Sequence, residues 1–425
     1  MFRLVNITIL SAILFYSGLT YSQNPDWIIF DSSNSELLDD RILMITPEGN
    51  GLKWLAMAFF GVSAFDGVNF TNYTTANSGL PSNAVYNVAI ESNGMKWFGT
   101  LGGLVSFDNT TWTVYNTLNS GLPDNAVISL IIDANGNKWA GTESGLAKYD
   151  GTNWTVYDTS NSGLPHNYVF TITIDNDGNK WIGTYGGGIA MFDDANWTIY
   201  NTSNSGLPND FIMSITVDSN GDIWSGNTVS GLVHFDGTNW TVYNTSNSGL
   251  PQNQVRAIDF DDQGNKWIGT NGGGVAMFDD NNWTVLRTFN SDLPNDYIRD
   301  FYIDWNDNKW IATHGGGLAV YREGGATSVE EISDNVLPEK FYLSQNYPNP
   351  FNPSTTLKFQ IAEAGFVTLK IFDLLGNEAK TLIKEELNAG TFQIEFQGTD
   401  LASGIYYYRL SSKNFSETKK MILLK

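Results

Sequence analysis

The sequence predicts an all-β protein: a seven-bladed β-propeller followed by a small immunoglobulin-like β-sandwich. Three observations carry this. A tryptophan, usually preceded by lysine, recurs at Trp54, Trp97, Trp139, Trp181, Trp224, Trp267 and Trp310, with gaps of 43, 42, 42, 43, 43 and 43 residues. Self-similarity at that period, with short apolar runs cut by Gly and Asn/Asp turns, is one four-stranded blade per repeat. The last repeat stops at Leu318-Ala319-Val320-Tyr321 without its Trp-Thr-Val-Tyr segment, and that segment stands instead near the start as Trp27-Ile28-Ile29-Phe30. An N-terminal outer strand completing the last blade closes the ring and removes its open edges. Beyond Leu337 the long period is replaced by short alternating runs between turns, the pattern of a small sandwich.

The blade elements follow in order from the fourth repeat. Val169 to Asp175 alternates and runs into Asp175-Asn176-Asp177-Gly178-Asn179, an innermost strand ending in a turn closed by glycine. Lys180 to Thr184 is the second strand. Gly186-Gly187-Gly188 is a turn only glycine makes without strain, and Ile189 to Phe192 is the third strand. Trp197 to Tyr200 is the outer strand, after which Asn-Thr-Ser-Asn-Ser-Gly-Leu-Pro crosses to the next blade.

Along the chain, residues 1–22 read as a secretory signal peptide. Arg3 precedes a mostly apolar stretch, and Thr20 and Ser22 put small residues before Gln23. That stretch is too interrupted for a membrane span of about 20 apolar residues, and no later segment qualifies. Residues 23–322 are expected to be the propeller, 323–336 an acidic linker, and 337–425 the sandwich. In the last part Asn346-Tyr347-Pro348-Asn349-Pro350 excludes helix or central strand. Strands are expected at Thr356–Ile361, Val367–Phe372, Phe392–Phe396, Ile405–Leu410 and Lys419–Leu424.

The 425 residues include 14 Trp, 19 Tyr and 25 Phe, enough apolar surface for a large core, and 42 Gly that fall at fixed places in the repeat. With no cysteine, disulfide and thiolate–metal chemistry are excluded. The net charge of −22 is uneven: residues 337–425 carry nine acids and ten bases, and residues 1–336 carry 36 acids and 13 bases. Such a field repels phosphate backbones, so nucleic acid is not an expected partner.

The pattern Ile-Asp-x-x-Gly-Asn-Lys-Trp-Ile-Gly-Thr-x-Gly-Gly-Gly, seen best from Ile174 to Gly188, resembles the two-component regulator propeller repeat. In that family the repeats form the periplasmic sensing part of hybrid sensor kinases and are associated with recognising polysaccharide fragments. Blade one, around Gly51-Leu52-Lys53-Trp54, departs most from the pattern. No kinase or DNA-binding segment accompanies the repeats, so a signalling role is not carried over. The final segment, from Leu343-Ser344-Gln345-Asn346-Tyr347-Pro348-Asn349-Pro350 through Gly404-Ile405-Tyr406 to Lys419-Lys420-Met421, resembles the type A sorting domain of the type IX secretion system of Bacteroidetes. That resemblance implies contact with the secretion machinery and a protein secreted or held at the outer cell surface.

No zinc-protease, nucleophile-elbow or phosphate-loop motif is present, and no catalytic residue is assigned. The histidines His166, His234 and His314 fall on blades four, five and seven. The Asp-x-Asn/Asp-Gly turns at Asp133, Asp175 and Asp218 echo calcium loops without the downstream Glu, and both turn chemistry and calcium binding remain open for them. Two sets of loop residues surround one mouth of the propeller channel. The first is a near-invariant ring of Asp40, Asn83, Asn125, Asn167, Asp210, Asn253 and Asp296, read either as capping of the turn before the inner strand or as ligand-facing. The second varies: Leu101, Glu143, Tyr185, Thr228, Asn271 and His314. Variation on a fixed scaffold is where specificity sits, so Glu143, Tyr185, Asn271 and His314 are the candidate ligand contacts, suited to a glycan. The expected function is an exported, non-catalytic binding or scaffold module. The alternative is a propeller enzyme, since streptogramin lyases and some polysaccharide lyases share the architecture.

Overall fold

The computed structural model describes residues 27–49, 51–304, 307–322, 329–332, 338, 340–398, 401–413 and 415–425. The signal segment 1–22 and most of 323–336 lie outside them.

Seven four-stranded antiparallel sheets lie between Trp27 and Tyr321, six of them with their strands in chain order. In blade four they are Val169–Ile174, Lys180–Thr184, Ile189–Phe192 and Trp197–Tyr200. The first turn closes through Asp175 N–H to Asn179 O (3.0 Å) and Gly178 N–H to Asp175 O (3.0 Å), with Gly178 at φ 85°. At Gly188, φ is 81° and a Cβ would lie 2.2 Å from the Tyr200 carbonyl, so no other residue fits that turn. Blade seven consists of Ile298–Ile303, Lys309–Thr313 and Leu318–Tyr321, with Trp27–Phe30 paired antiparallel on its outer edge, Trp27 opposite Tyr321 and Phe30 opposite Leu318. Each innermost strand lies against those of the two neighbouring blades, and Ile298–Ile303 lies against Ile42–Pro47, so the sheets form a closed ring.

The core lies between blades rather than at one centre. Trp54, Ala56 and Val62 of blade one pack with Val85, Phe98 and Val105 of blade two, and the same layer repeats around the ring. Two polar devices explain the recurring Lys-Trp. In all seven blades the indole N–H donates to a carboxylate six residues earlier, from Trp54 to Glu48 (2.8 Å), Trp139 to Asp133 (2.9 Å) and Trp267 to Asp261 (3.0 Å), among others. The lysine before each tryptophan reaches over the tryptophan of the preceding blade, as Lys138 over Trp97 (4.7 Å) and Lys180 over Trp139 (5.1 Å). Blade five has Ile223 in that place.

The C-terminal part is a sandwich of two four-stranded sheets. One holds Val329–Ile332, Gly390–Gln397, Ser354–Ile361 and Tyr342–Leu343; the other holds Glu378–Leu387, Gly365–Phe372, Gly404–Ser412 and Phe415–Leu423. Their inner faces share one core of Phe359, Ile394 and Phe396 against Leu369, Tyr408 and Leu410. Two sequence expectations change here. Residues 329–332, read as linker, pair with Thr391–Ile394 along the open edge of that strand. Glu378–Leu387 is an additional edge strand, disguised by the charged residues that keep sheet edges from pairing with other chains. The Asn346-Tyr347-Pro348-Asn349 motif is structural: Asn346 N–H donates to the Tyr408 hydroxyl (2.8 Å), and Asn349 Oδ1 accepts from Ile422 N–H (2.9 Å).

Candidate functional site

The ring residues turn back onto their own loops. Each accepts a hydrogen bond from the backbone N–H eight positions earlier: Asn125 from Thr117 (2.9 Å), Asn167 from Thr159 (2.9 Å), Asp210 from Thr202 (2.8 Å), Asn253 from Thr245 (2.9 Å) and Asp296 from Thr288 (2.9 Å). Asp40 and Asn83 do the same with Ser32 and Thr75. Backbone carbonyls of the ring also reach the glycine turn of the preceding blade, as Asp210 O accepts from Gly186 and Gly188 N–H. The near-invariance of the ring therefore follows from its job of fixing the crossing loop against the glycine turn.

That fixed frame carries the variable residues. Tyr185 N–H donates to Tyr168 O (3.0 Å), Asn271 N–H to Gln254 O (3.0 Å) and His314 N–H to Tyr297 O (2.9 Å). On the other side the same three residues bridge to Phe211, Tyr297 and Arg41 of the next blade. At five of the seven ring positions the residue that follows, namely Arg41, Tyr168, Phe211, Gln254 and Tyr297, therefore brings a large side chain to the mouth beside the variable turn, a contribution the sequence reading missed; Ala84 and Ala126 stand at the other two. Tyr185 is 42% exposed and meets the Phe211 ring edge-on at 4.9 Å, with Tyr168 at 5.4 Å and Phe170 at 6.5 Å. Asn271 Nδ2 donates to Gln254 Oε1 (2.7 Å). Glu143 is exposed and close enough to Tyr168 to help, after burial, to push its phenol up.

Every innermost strand bears a β-bulge one residue inside the mouth, at Leu43, Tyr86, Ile128, Phe170, Met213, Arg256 and Arg299. A bulge re-aims its extra side chain. Burial and then Arg299 bring the Arg256 guanidinium down to about 10, against the opposing pull of Tyr185. Burial, then Arg299, Arg41 and Arg256, hold the His314 imidazole below the usual histidine range despite Asp39. These residues thus lie within one another's fields at a single mouth, aromatic on the side of blades four and five, cationic on the side of blades six, seven and one. Farther along the same strands Asp259 accepts from Ile303 N–H (2.9 Å) and Asp300 from Ile45 N–H (2.8 Å), each tying one inner strand to the next. Burial pushes Asp259 up to about 6 and Asp300 up to about 7.

The other sequence candidates have structural partners. His166 Nδ1 accepts from Tyr168 N–H (3.0 Å). His234 pairs with Asp222 (2.8 Å) and stacks on Trp224 at 4.2 Å. Asp218, Asp222 and His234 are clustered closely enough to hold a cation, although Asp218 already accepts the Trp224 indole (3.0 Å) and the Asn220 and Asp222 N–H groups. The turn carboxylates Asp133 and Asp175 are likewise occupied. Burial pushes them up, but the indoles of Trp139 and Trp181 and the amides of Asn137 and Asn179 hold them below the usual range.

The fold defines a β-propeller with a loop-built channel mouth, joined to a second all-β unit. Residues 163–186 and 206–228 match the two-component regulator propeller family, and residues 345–424 match the secretion system C-terminal sorting domain. The chain therefore carries two-component regulator propeller repeats and a type IX sorting domain, which marks it for export to the cell surface or for secretion. Among solved structures it resembles the extracellular domain of a hybrid two-component system, BT3049, from B. thetaiotaomicron, at 20% identity and TM-score 0.61, over 94% of this chain and 57% of that one. It also resembles PorZ, a surface component of the type-IX secretion system of Porphyromonas gingivalis, at 19% identity and TM-score 0.56, over 94% and 61%. Virginiamycin B lyase from Staphylococcus aureus aligns at 16% identity and TM-score 0.56, over 69% of this chain and 98% of the lyase. The chain thus spans about three fifths of the first two neighbours, and at these identities the likeness is one of fold. No curated protein matches the sequence. Among the described residues no helix is long and apolar enough to cross a membrane.

Proposed function

We propose that the protein is a non-catalytic binding module acting outside the cell, with a glycan as ligand and the channel mouth as its site. The observation that carries this reading is the half-exposed aromatic arc of Tyr185 and Phe211, set beside the polar side chains of Asn271, Gln254 and His314 on one rim. Aromatic faces suit sugar rings and the amides suit hydroxyls, each contact contributing about 1 kcal/mol. Several of them, less the cost of ordering the ligand, correspond to affinities of about micromolar to millimolar. The histidines support binding over lyase chemistry, because the Nδ1 of His166 is taken by Tyr168 N–H and His234 is paired with Asp222 inside a strand, whereas general acid–base work needs two groups at hydrogen-bond reach of one substrate. A glycan array probed with the parent and with Tyr185→Ala tests the proposal. The parent binds a defined glycan and the variant binds it severalfold more weakly with unchanged folding; equal binding by both sinks the assignment of the site.

A further inference from the structure

We infer that the mouth selects acidic saccharides, taking a carboxylate or sulfate group on Arg256 and Arg299 while the sugar ring lies against the aromatic arc of Tyr185 and Phe211. The inference rests on the binding reading above and adds the charge class of the ligand. Arg256 and Arg299 occupy the bulge positions of adjacent innermost strands. Their Nε atoms are buried without a hydrogen-bond partner, as is Nδ1 of His314 at the neighbouring turn. Among the described residues neither guanidinium has an ion pair, although residues 1–336 carry 36 acids. The nearest acids along the same strands do not serve: Asp259 and Asp300 face the backbone N–H groups of Ile303 and Ile45. Arg41, by contrast, is held by Asp39 at 2.6 Å.

Two adjacent cations partly withdrawn from water without a counter-charge repel each other and lose part of their hydration, an arrangement stable sequences avoid unless something completes it. An oxyanion completes it well, since the guanidinium fork matches carboxylate and sulfate geometry. In so acidic a chain this is a local cationic centre, so it discriminates by position rather than by net charge. The aromatic arc on the adjoining blades selects the body of the ligand. Tyr185 is in contact with Phe211 and within electrostatic range of Arg256, so a ring on the aromatic face brings an acidic substituent to the arginines.

The test is calorimetric titration of the full-length protein with trigalacturonate, a sulfated disaccharide, neutral cellotriose and a glutamate-rich peptide. Binding of an acidic saccharide over cellotriose is expected, and which of the two acids binds identifies the anion. Added sodium chloride weakens that binding. Arg256→Met and Arg299→Met each weaken it by about tenfold or more, while the thermal midpoint stays level or rises, because a repelling pair has been removed. Arg256→Lys keeps the charge but not the fork and loses severalfold. Cellotriose bound with both acids refused overturns this inference and leaves the binding reading standing; no saccharide bound overturns both. Unchanged affinity in Arg256→Lys and Arg299→Met, or peptide bound in place of saccharide, also overturns it.

Discussion

Replacing Asp300 by asparagine should raise the stability of the propeller at neutral pH and flatten its pH dependence. Asp300 accepts from Ile45 N–H (2.8 Å), and burial, with Asp259 nearby, pushes its carboxyl from 3.8 up to about 7. In the unfolded chain it ionises near its ordinary value. Between about pH 4 and pH 7 the folded state therefore holds a proton that the unfolded state has lost, and stability falls as pH rises. A shift of that size corresponds to an upper bound of about 4 kcal/mol; allowing for solvent reaching a half-buried group, about 1–3 kcal/mol is expected. Asparagine keeps an acceptor for Ile45 and carries no charge, so Asp300→Asn recovers that amount at pH 7 and nothing at pH 4. Carboxylates held low act in a different window: Asp236, drawn down to about 2 by the Asn239 and Thr238 groups, stabilises above pH 3.8 and loses its effect as pH falls through about 2. Urea unfolding across pH 4–8 provides the assay. All 14 tryptophans precede residue 323, so their fluorescence reports the propeller alone. A parent whose stability does not decline over that range, or an Asp300→Asn variant with the parent's slope, refutes the reasoning.

Asp133→Ala removes the acceptor of the Trp139 indole and of Asn137, and should cost about 2 kcal/mol in denaturant unfolding. Lys138→Met breaks both the Glu91 pair (2.6 Å) and the cation–π contact with Trp97, for a loss of about 1–2 kcal/mol. Removing the chain through Phe30 strips the outer strand from blade seven and exposes its edge, with a loss on the order of 5 kcal/mol that thermal unfolding would register. Deleting residues 337–425 should leave folded propeller in the periplasm, read by fractionation and immunoblotting.

Much of this architecture is legible in the sequence because it repeats. Trp139, Gly188 and the Asp175–Gly178 turn each satisfy a need that recurs in every blade, so periodicity exposes them. The ring shows the limit of that reasoning: Asn125 to Asp296 stand out through constancy, yet the structure spends them on Thr117 to Thr288 N–H groups. The proposed recognition residues are those that vary against the frame, and the turn positions Tyr185, Asn271 and His314 are legible that way. Phe211 and Arg256, one and three places after the ring, were not, because apolar and charged residues alternate there as in any half-buried strand. The bulge that re-aims Arg256 leaves no mark in the sequence. Glu378–Leu387 was missed for a related reason, its charges belonging to an exposed edge rather than to a turn.

The claim that the mouth is the binding site is tested most directly by hydrogen–deuterium exchange of the full-length protein with and without the saccharide that binds best on the array. Protection is expected in the segments around Tyr168, Tyr185, Phe211, Asn271, Tyr297 and His314, with the outer strands Trp112–Tyr115 and Trp240–Tyr243 unchanged. Protection confined to the outer strands, or to the Asp175 and Asp261 turns at the other end of the inner strands, would contradict it.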